Sequence, residues 1–548
     1  MRLAVRGSEF TVDSRVAGSR FAVRGANWIA AAAALAGIVA AIHYHRLGLT
    51  LAHYDARAHL VVARRVFDSL TPGWQQVGAV WLPLPHLLNL IPVQVDALYR
   101  SGAFAVAVSI ASMAAAAGAV ATLIQRATGS TIGGVVAATL LMINPDVLYL
   151  QSTPMSEPLL FGTTFLAVSL IARWASSILP PEGGSHENLG AGGSHGTVGD
   201  GGRHARVVDA GPRTSDLGPR IMTKAPGWAS IAAVLTRYEA WPIIGAAILL
   251  AFAVLLRRGW RANEALRAVR GLALWPFWAI AAFLVNSKVT VGAWFVSSGF
   301  FVAENPALGR PWLAWTQVWK GLGELTGGAM PWIACAAAVI IVGAFVASRA
   351  RVSALVVLAL AASAALPWYA YYKGHPVRIR YDVPLVAAAA AIAGMGVALL
   401  PRRLGGVAGA IVIAIAAWSA KPFDANAPVV VESQRDARNT AGRRAVTDYL
   451  VAHWDGQPIM MSMGSLGHYM QDMSHAGFNI RDFLHEGNGE IWIHAVGHPR
   501  PFVEWIVVEE KAEGGDVLYW QGRIDPNFFN GYQRVAEGGN VALYRRIW

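Results

Sequence analysis

The chain has 548 residues, of which 55% are hydrophobic and only 14% are charged, and its mean hydropathy is +0.41. Soluble proteins carry about 25% charged residues, so this composition excludes an ordinary soluble protein and indicates several membrane spans. The formal net charge of +12 does not predict a nucleic-acid partner, because the basic residues lie mostly between apolar runs, where the positive-inside rule explains them. The single cysteine, Cys335, excludes an intramolecular disulfide.

Apolar runs long enough to cross a bilayer, which takes about 20 residues, recur from residue 27 to residue 420. The first run follows a basic tail at 1–26. It is long and lacks an evident cleavage site, so we interpret it as a retained membrane helix and not as a signal peptide. We predict an α-helical polytopic membrane protein with about 11 spans. They lie near 27–47, 101–124, 131–150, 158–174, 228–235, 240–256, 272–285, 329–347, 353–371, 383–400 and 407–418.

Two stretches between the spans differ from the rest. Residues 50–100 have mixed character and are broken by prolines, which predicts a first outer loop with short helices. Residues 177–225 are dominated by Gly, His, Ser, Pro and Arg, which predicts a flexible inner loop without a core. Its histidines have irregular spacing, so we favour a solvated linker over a metal site. They are His186, His195 and His204.

Basic residues predict the orientation of the spans. With the N-terminus in the cytoplasm, the arginines between spans gather in inner loops, as the positive-inside rule requires. They are Arg126, Arg203, Arg206, Arg213, Arg220, Arg257, Arg258, Arg261, Arg267, Arg270, Arg349, Arg351, Arg402 and Arg403, together with Lys224. This orientation places Asp55 outside, and an odd number of spans places residues 421–548 outside as well.

The C-terminal segment, 421–548, has a different pattern. The apolar stretches 505–508 and 541–544 predict short buried strands, and they alternate with amphipathic pieces such as 442–453. We predict a small α/β domain on the outer face. It has no glycine-rich fingerprint for phosphate, because the glycines at 487–489 and 538–539 fit turns better.

Two acidic residues at the outer face are candidates for chemistry. Asp55, in the sequence His-Tyr-Asp-Ala-Arg-Ala-His, follows the first span. It fits a helix cap, a solvated interfacial charge or a catalytic carboxylate. Glu157, in Thr-Pro-Met-Ser-Glu-Pro, stands at the start of a span, where the helix dipole favours an acid whether or not it has a function.

Basic residues accompany these acids. Arg237 and Glu239 fall between two spans, where ionisable residues are costly and are usually paired or functional, so an internal ion pair and a functional role are both open. Arg378 and Arg380 precede a late span and run against the positive-inside bias. The guanidinium fork suits a phosphate, either of a substrate or of a lipid headgroup. Acids and arginines at one face indicate group transfer from a lipid phosphate: a carboxylate deprotonates an acceptor hydroxyl and cations stabilise the leaving group.

The order of four motifs resembles the GT-C superfamily of integral membrane glycosyltransferases, which includes protein O-mannosyltransferases and the aminoarabinose transferases of lipid A. The motifs are Asp55 after the first helix, Thr-Pro-Met-Ser-Glu-Pro-Leu, Leu-Thr-Arg-Tyr-Glu-Ala, and Arg-Tyr-Asp-Val-Pro-Leu before a late helix. The resemblance covers about residues 27–400 and the general plan of a periplasmic C-terminal domain. It implies a membrane domain of the GT-C type at 27–420 in the bacterial inner membrane.

The resemblance also implies a reaction and its residues. A sugar passes with inversion from a polyprenyl-phosphate donor to a hydroxyl of a cell-envelope glycan, lipid or protein. Asp55 would be the general base, and Glu157 a second acid that assists the acceptor or a metal. The lipid phosphate would contact Arg378 and Arg380. The further substrate-binding candidates are Tyr381, Arg237, Glu239 and Arg57.

Many relatives have Asp-Glu at the first acidic site, whereas Asp55 is followed by Ala56, which puts a metal requirement in doubt. His53 and His59 are close enough in sequence to help bind a divalent metal, but we expect no obligatory metal. Two alternatives to the enzyme stay open. A transporter or flippase of lipid-linked saccharides would share the spans and arginines, although internal repeats are not evident. A scaffold that binds cell-wall components would leave the acids without a role.

Overall fold

The computed structural model describes residues 10–178, 223–296, 305–510 and 515–547, with side chains from residue 25 onward. Most of the predicted inner loop 177–225, with His186, His195 and His204, lies outside the described residues. The first helix begins at Phe10 and is continuous with the first span, so it reaches well into the predicted tail at 1–26.

Helices form the chain as far as Ser419. In order they are α1 (Phe10–Arg46), α2 (Tyr54–Arg64), α3 (Leu84–Asn89), α4 (Asp96–Ser101), α5 (Ala103–Thr128), α6 (Thr131–Ile143), α7 (Pro145–Leu150), α8 (Glu157–Ser177), α9 (Lys224–Val234), α10 (Ala240–Arg257), α11 (Ala262–Val291), α12 (Pro311–Thr326), α13 (Met330–Ala347), α14 (Ala365–Tyr372), α15 (Val383–Leu399) and α16 (Arg402–Ser419). A 3-10 helix at Arg349–Ala364 runs directly into α14.

Nine helical segments of the described chain are long and apolar enough to cross a membrane. They coincide with nine of the 11 predicted spans. Of the other two predicted positions, 131–150 holds the shorter helices α6 and α7, and 228–235 lies on the shorter helix α9. The prediction of an α-helical polytopic membrane protein is therefore confirmed. Hydropathy identifies such helices because every backbone polar group inside a bilayer must be bonded within its own segment.

Helix α15 lies at the centre of the helical domain, and all of its residues are buried. It packs closely on α6 through small residues, as membrane helices commonly do. A Cβ atom added at Gly394 would lie 2.5 Å from the carbonyl oxygen of Gly133. The Arg-Tyr-Asp turn that carries Arg380 immediately precedes α15.

The C-terminal segment forms the predicted α/β domain. Its five strands are β1 (Ile459–Met461), β2 (Phe483–Leu484), β3 (Trp505–Glu509), β4 (Tyr532–Gly538) and β5 (Val541–Arg546). They form one sheet in the order β2-β1-β3-β5-β4, in which β1, β2 and β3 are parallel, and β5 is antiparallel to both β3 and β4. The helices are α17 (Pro428–Gly442), α18 (Arg444–His453), α19 (Met463–Met473), α20 (Glu490–Gly497) and α21 (Val517–Ile524). The strands predicted at 505–508 and 541–544 are confirmed as β3 and β5.

Helix α2 connects the two parts of the molecule. Its buried residues Leu60 and Val61 share one apolar cluster with Leu466 and Tyr469 of α19. Burial of such apolar side chains stabilises the contact by roughly 1.5–3 kcal/mol per fully buried residue. The segment that carries Asp55 therefore lies between the helical domain and the α/β domain.

Candidate active site

Four segments that are distant in sequence bring charged side chains together. They are the start of α2, the turn before α8, the turn between α9 and α10, and the short 3-10 turn Ile379–Asp382 before α15. Each segment leads into a helix, so the positive ends of several helix dipoles face the same region. These segments supply Asp55, Glu157, Arg237 and Arg380.

Arg380 is the centre of this network. Its guanidinium forms an ion pair with Oδ2 of Asp55, and its Nε lies 3.6 Å from Oε1 of Glu157. All three residues are buried. A buried charge is stable only when it is paired and hydrogen-bonded, so the three residues depend on one another.

Arg237 extends the network on the other side of Glu157. Its Nη1 donates to Oε1 of Glu157 and to Oγ of Ser156, each at 3.0 Å, and its Nη2 donates to Oε1 of Glu239 at 2.6 Å. The internal Arg237–Glu239 pair that the sequence left open is therefore present. Because the same guanidinium also reaches Glu157, the pair belongs to the larger network.

The ion pair controls the ionisation of Asp55. Burial acts to raise the pKa of Asp55, but the charge of Arg380 and its hydrogen bond to the carboxylate outweigh burial and lower the pKa to about 2. Asp55 is consequently a carboxylate at neutral pH, held in that state chiefly by the arginine beside it.

The backbone N–H groups of Tyr54 and Asp55 are held by side chains. The Asp55 N–H donates to Nδ1 of His53 at 3.1 Å, so Nε2 carries the proton of the neutral imidazole. That Nε2 lies 3.5 Å from a carboxylate oxygen of Glu432 on α17. The Tyr54 N–H donates to Asp436 of the same helix at 3.0 Å. The sequence analysis did not identify Glu432 or Asp436, because nothing local marks a polar helix after the last span as a partner of residues almost 400 positions earlier.

A buried pair of histidines borders the network. Nδ1 of His59 lies 3.0 Å from Nε2 of His86, and Nε2 of His59 lies 3.4 Å from Oγ of Ser156. Trp81 packs against the His59 ring, with centroids 4.3 Å apart. Burial lowers the pKa of His59 to about 4, so the ring is neutral at pH 7. The sequence analysis missed His86 and Trp81.

His53 and His59, which the sequence suggested as metal ligands, have different surroundings: His53 faces Glu432 and His59 contacts His86. Within the described ranges, no group of three or more His, Cys, Asp or Glu side chains is arranged to hold a metal ion.

The other predicted site residues lie at the edge of the network or outside it. Arg378 and Tyr381 are half-buried, and the Arg378 carbonyl accepts a hydrogen bond of 3.0 Å from the Tyr371 hydroxyl. Arg57 is not brought into the network. It pairs with Asp472 at 3.3 Å and donates to Thr440 at 3.2 Å, so it links α2 to the C-terminal part of the chain.

Two solved structures share this architecture. The aminoarabinose transferase ArnT from Cupriavidus metallidurans, bound to undecaprenyl phosphate, matches with a TM-score of 0.54 and 12% identity over 94% of this chain and 97% of ArnT. The apo state of ArnT matches with a TM-score of 0.52 and 12% identity over 92% of this chain and 97% of ArnT. An oligosaccharyltransferase from Archaeoglobus fulgidus, in the apo form, has a TM-score of 0.47 and 11% identity over 88% of this chain and 69% of its own. Neither a family model nor a curated protein matches the sequence.

The fold is therefore that of the ArnT structures, as the resemblance stated from the sequence implies. In particular, the chain is similar to ArnT over nearly the whole of both proteins.

Proposed function

We propose that this protein is a membrane glycosyltransferase that moves a sugar from a polyprenyl-phosphate donor to a hydroxyl acceptor, with inversion. The observation that carries the proposal is the convergence of Asp55, Glu157 and Arg380 from three distant segments into one buried network. General base catalysis needs a carboxylate within hydrogen-bond reach of the acceptor hydroxyl, and departure of a phosphate needs a cation beside it. The network supplies both groups side by side.

In the reaction, the donor phosphate replaces Asp55 at the Arg380 guanidinium, with Arg378 and Tyr381 at the edge of the same site. Asp55 then accepts the proton of the acceptor hydroxyl as that oxygen forms a bond to the anomeric carbon of the sugar. The bond between the anomeric carbon and the phosphate oxygen breaks, and polyprenyl phosphate leaves with the electron pair, stabilised by the arginine. Attack opposite the leaving group inverts the anomeric centre.

Glu157 assists the acceptor in this proposal. Its Oε1 is held by Arg237, whereas its buried Oε2 makes no hydrogen bond to any residue in the described ranges. A buried oxygen of this kind suits a hydroxyl donor, since leaving an acceptor unsatisfied costs about 1–3 kcal/mol. Arg237 and Glu239 hold Glu157 in place.

An apolar groove beside the network supports a lipid-linked donor. The groove has a volume of about 1070 Å³, and Leu235, two residues before Arg237, lines it together with Trp74 and Phe283. It extends along α9 and α11 to Lys224 and Arg267. A long apolar groove suits an isoprenoid chain, because burial of apolar surface favours binding. Its end beside Arg237 would place the donor phosphate near the arginines.

We further propose that the protein lies in the bacterial inner membrane, with Asp55 and the C-terminal domain on the periplasmic side. The arginines of the loops support this orientation through the positive-inside rule. The acceptor would then be a glycan, lipid or protein of the cell envelope.

The test is sugar transfer by the purified full-length protein in lipid nanodiscs. Undecaprenyl phosphates that carry labelled pentoses or hexoses serve as donors, and the measured quantities are release of undecaprenyl phosphate and binding of the donor. Asp55→Asn keeps the shape of the side chain but removes the base, so kcat should fall at least ~10²-fold while donor binding persists. Asp96→Asn, at an exposed carboxylate in the same outer region, is the matched control and should keep full activity.

Equal turnover by wild type and Asp55→Asn would reject Asp55 as the base. If wild type turned over no donor but moved lipid-linked sugar between leaflets of a vesicle, the protein would be a transporter and the proposed function would be wrong.

A further inference from the structure

A pocket of about 420 Å³ lies at the end of the helical domain opposite the Asp55 network. It forms where α5, α8 and α10 end and where the 3-10 helix Arg349–Ala364 begins. Glu157 starts α8 at the network and Ser177 ends it at the pocket. A helix of this length spans about 30 Å, so the two sites are separated by the thickness of a hydrocarbon core.

Four arginines line this pocket, one from each of the segments that form it. They are Arg126, Arg173, Arg258 and Arg349. Of the described residues that line the pocket, none is an aspartate or a glutamate. Four like charges around one concave surface repel one another and attract an anion.

Among the residues that the structure describes, only Arg258 of the four arginines forms hydrogen bonds that stabilise the fold. Arg258 donates to the carbonyl oxygens of Ala175 at 2.6 Å and Ile178 at 3.0 Å, which satisfies the end of α8. The guanidiniums of the other three are exposed and form no hydrogen bond or ion pair with any residue in the described part of the chain. Capping of helix ends therefore explains Arg258 but not its three neighbours.

Nearby arginines outside the pocket behave differently. Arg351 donates to the Leu399 carbonyl at 3.2 Å, and Arg257 donates to the Phe345 carbonyl at 3.3 Å. Within the pocket, the hydroxyls of Ser176 and Ser177 donate to carbonyls of their own helix, so the guanidiniums remain as its main donors. Guanidinium forks bind phosphate oxygens in a bidentate way.

We propose that this pocket binds the phosphate of an anionic phospholipid headgroup. The pocket lies at the ends of several membrane helices, which is the depth of the lipid headgroups in a bilayer. Basic pockets between such helix ends attract anionic lipids. The site is independent of the proposed transferase function, because it shares no residue with the Asp55 network.

The experiment is native mass spectrometry of the full-length protein exchanged into mixtures of phosphatidylglycerol and phosphatidylcholine. Wild type should retain at least tenfold more phosphatidylglycerol than phosphatidylcholine from an equimolar mixture. The triple variant Arg126→Gln, Arg173→Gln, Arg349→Gln should lose that preference. The double variant Arg402→Gln, Arg403→Gln, at exposed arginines on α16 outside the pocket, should keep it. The midpoint of thermal unfolding in pure phosphatidylcholine establishes that each variant is folded. If the triple variant does not fold, the single variants Arg126→Gln and Arg349→Gln provide the same test.

Equal loss in the triple and double variants would overturn the proposal, since general surface charge would then explain the binding. An unchanged preference in the triple variant would also overturn it. Addition of inorganic phosphate separates the two sources of the anion. Stabilisation by phosphate that depends on the three arginines, without any preference for phosphatidylglycerol, would overturn the lipid assignment in favour of a soluble ligand.

Discussion

Asp55 and Arg380 form a buried ion pair although 325 positions separate them in sequence. The pair joins the first outer segment of the chain to the turn before α15. Because Arg380 also contacts Glu157, one guanidinium serves two carboxylates. A donor phosphate that competes for Arg380 would release Asp55 and raise its pKa, so donor binding and activation of the base would be linked.

This linkage predicts a pH effect in Arg380→Gln. In wild type, the pKa of Asp55 is about 2, so the base is ionised throughout pH 5–8 and kcat/KM should show no acid limb from Asp55 in that range. Without the arginine, burial is less opposed and the pKa rises, so activity should be lost as pH falls through a higher value. The measurement is the pH profile of kcat/KM, which reports the free enzyme.

Arg380→Lys is the control for that experiment, because it keeps the charge but not the fork. It should leave the acid limb low while it weakens donor binding. An acid limb at the same pH in wild type and Arg380→Gln would contradict the role of the ion pair.

Glu157 should matter for stability more than an exposed acid does. It is fully buried and contacts two arginines, so Glu157→Ala should lower the free energy of unfolding by about 3 kcal/mol. Asp96→Ala removes an exposed partner of Arg64 and should cost at most about 1 kcal/mol. Thermal unfolding in the same detergent compares them, and equal shifts would show that the network does not stabilise the fold.

Glu432 should act as a positioning residue for Asp55 through His53. Glu432→Ala should lower kcat by about tenfold and leave the KM for the donor unchanged, because the loop that carries the base would lose one of its supports. Glu432→Gln should restore most of the activity, since its amide oxygen can take the place of the carboxylate oxygen that lies 3.5 Å from Nε2 of His53. Arg435→Ala, at an exposed position on the same helix, should have no effect. A matching rise in KM, or no rescue by Gln, would argue against positioning.

The contact between α5 and α8 depends on a glycine. A Cβ atom at Gly162 would lie 2.7 Å from the Ser112 carbonyl oxygen and 3.1 Å from its Cα. Gly162→Ala should therefore destabilise the protein by about 1–3 kcal/mol. Gly245→Ala is the matched control on α10, where nothing lies within 4 Å, and helix propensity should make it neutral or slightly stabilising. Thermal unfolding checks both variants, and a harmless Gly162→Ala would mean that the two helices can separate.

The spans and the α/β domain could be predicted from local sequence. Apolar runs must become helices in a bilayer, and alternation of strands with amphipathic pieces persists over a few residues. The shorter helices α6 and α9 were found in the same way, although the full length of α1 was not, because its first residues are polar.

The candidate acids and arginines were also evident from the sequence, since ionisable residues at membrane depth are costly and are usually paired or functional. Their partners were not. Glu432, Asp436, His86 and Trp81 lie on elements without an unusual local pattern, and Arg57 has the same local character as the arginines of the network but faces Asp472.

The amino-acid order thus determined which segments enter the membrane and which charged residues stand at their ends, because hydropathy and charge act over one helix length. Tertiary packing decided which of those charges meet. The close contact of α6 with α15, the burial of α2 between the two domains and the approach of α17 bring Asp55, Arg380 and Glu432 into one neighbourhood. Such contacts join positions hundreds of residues apart, and no local pattern records them.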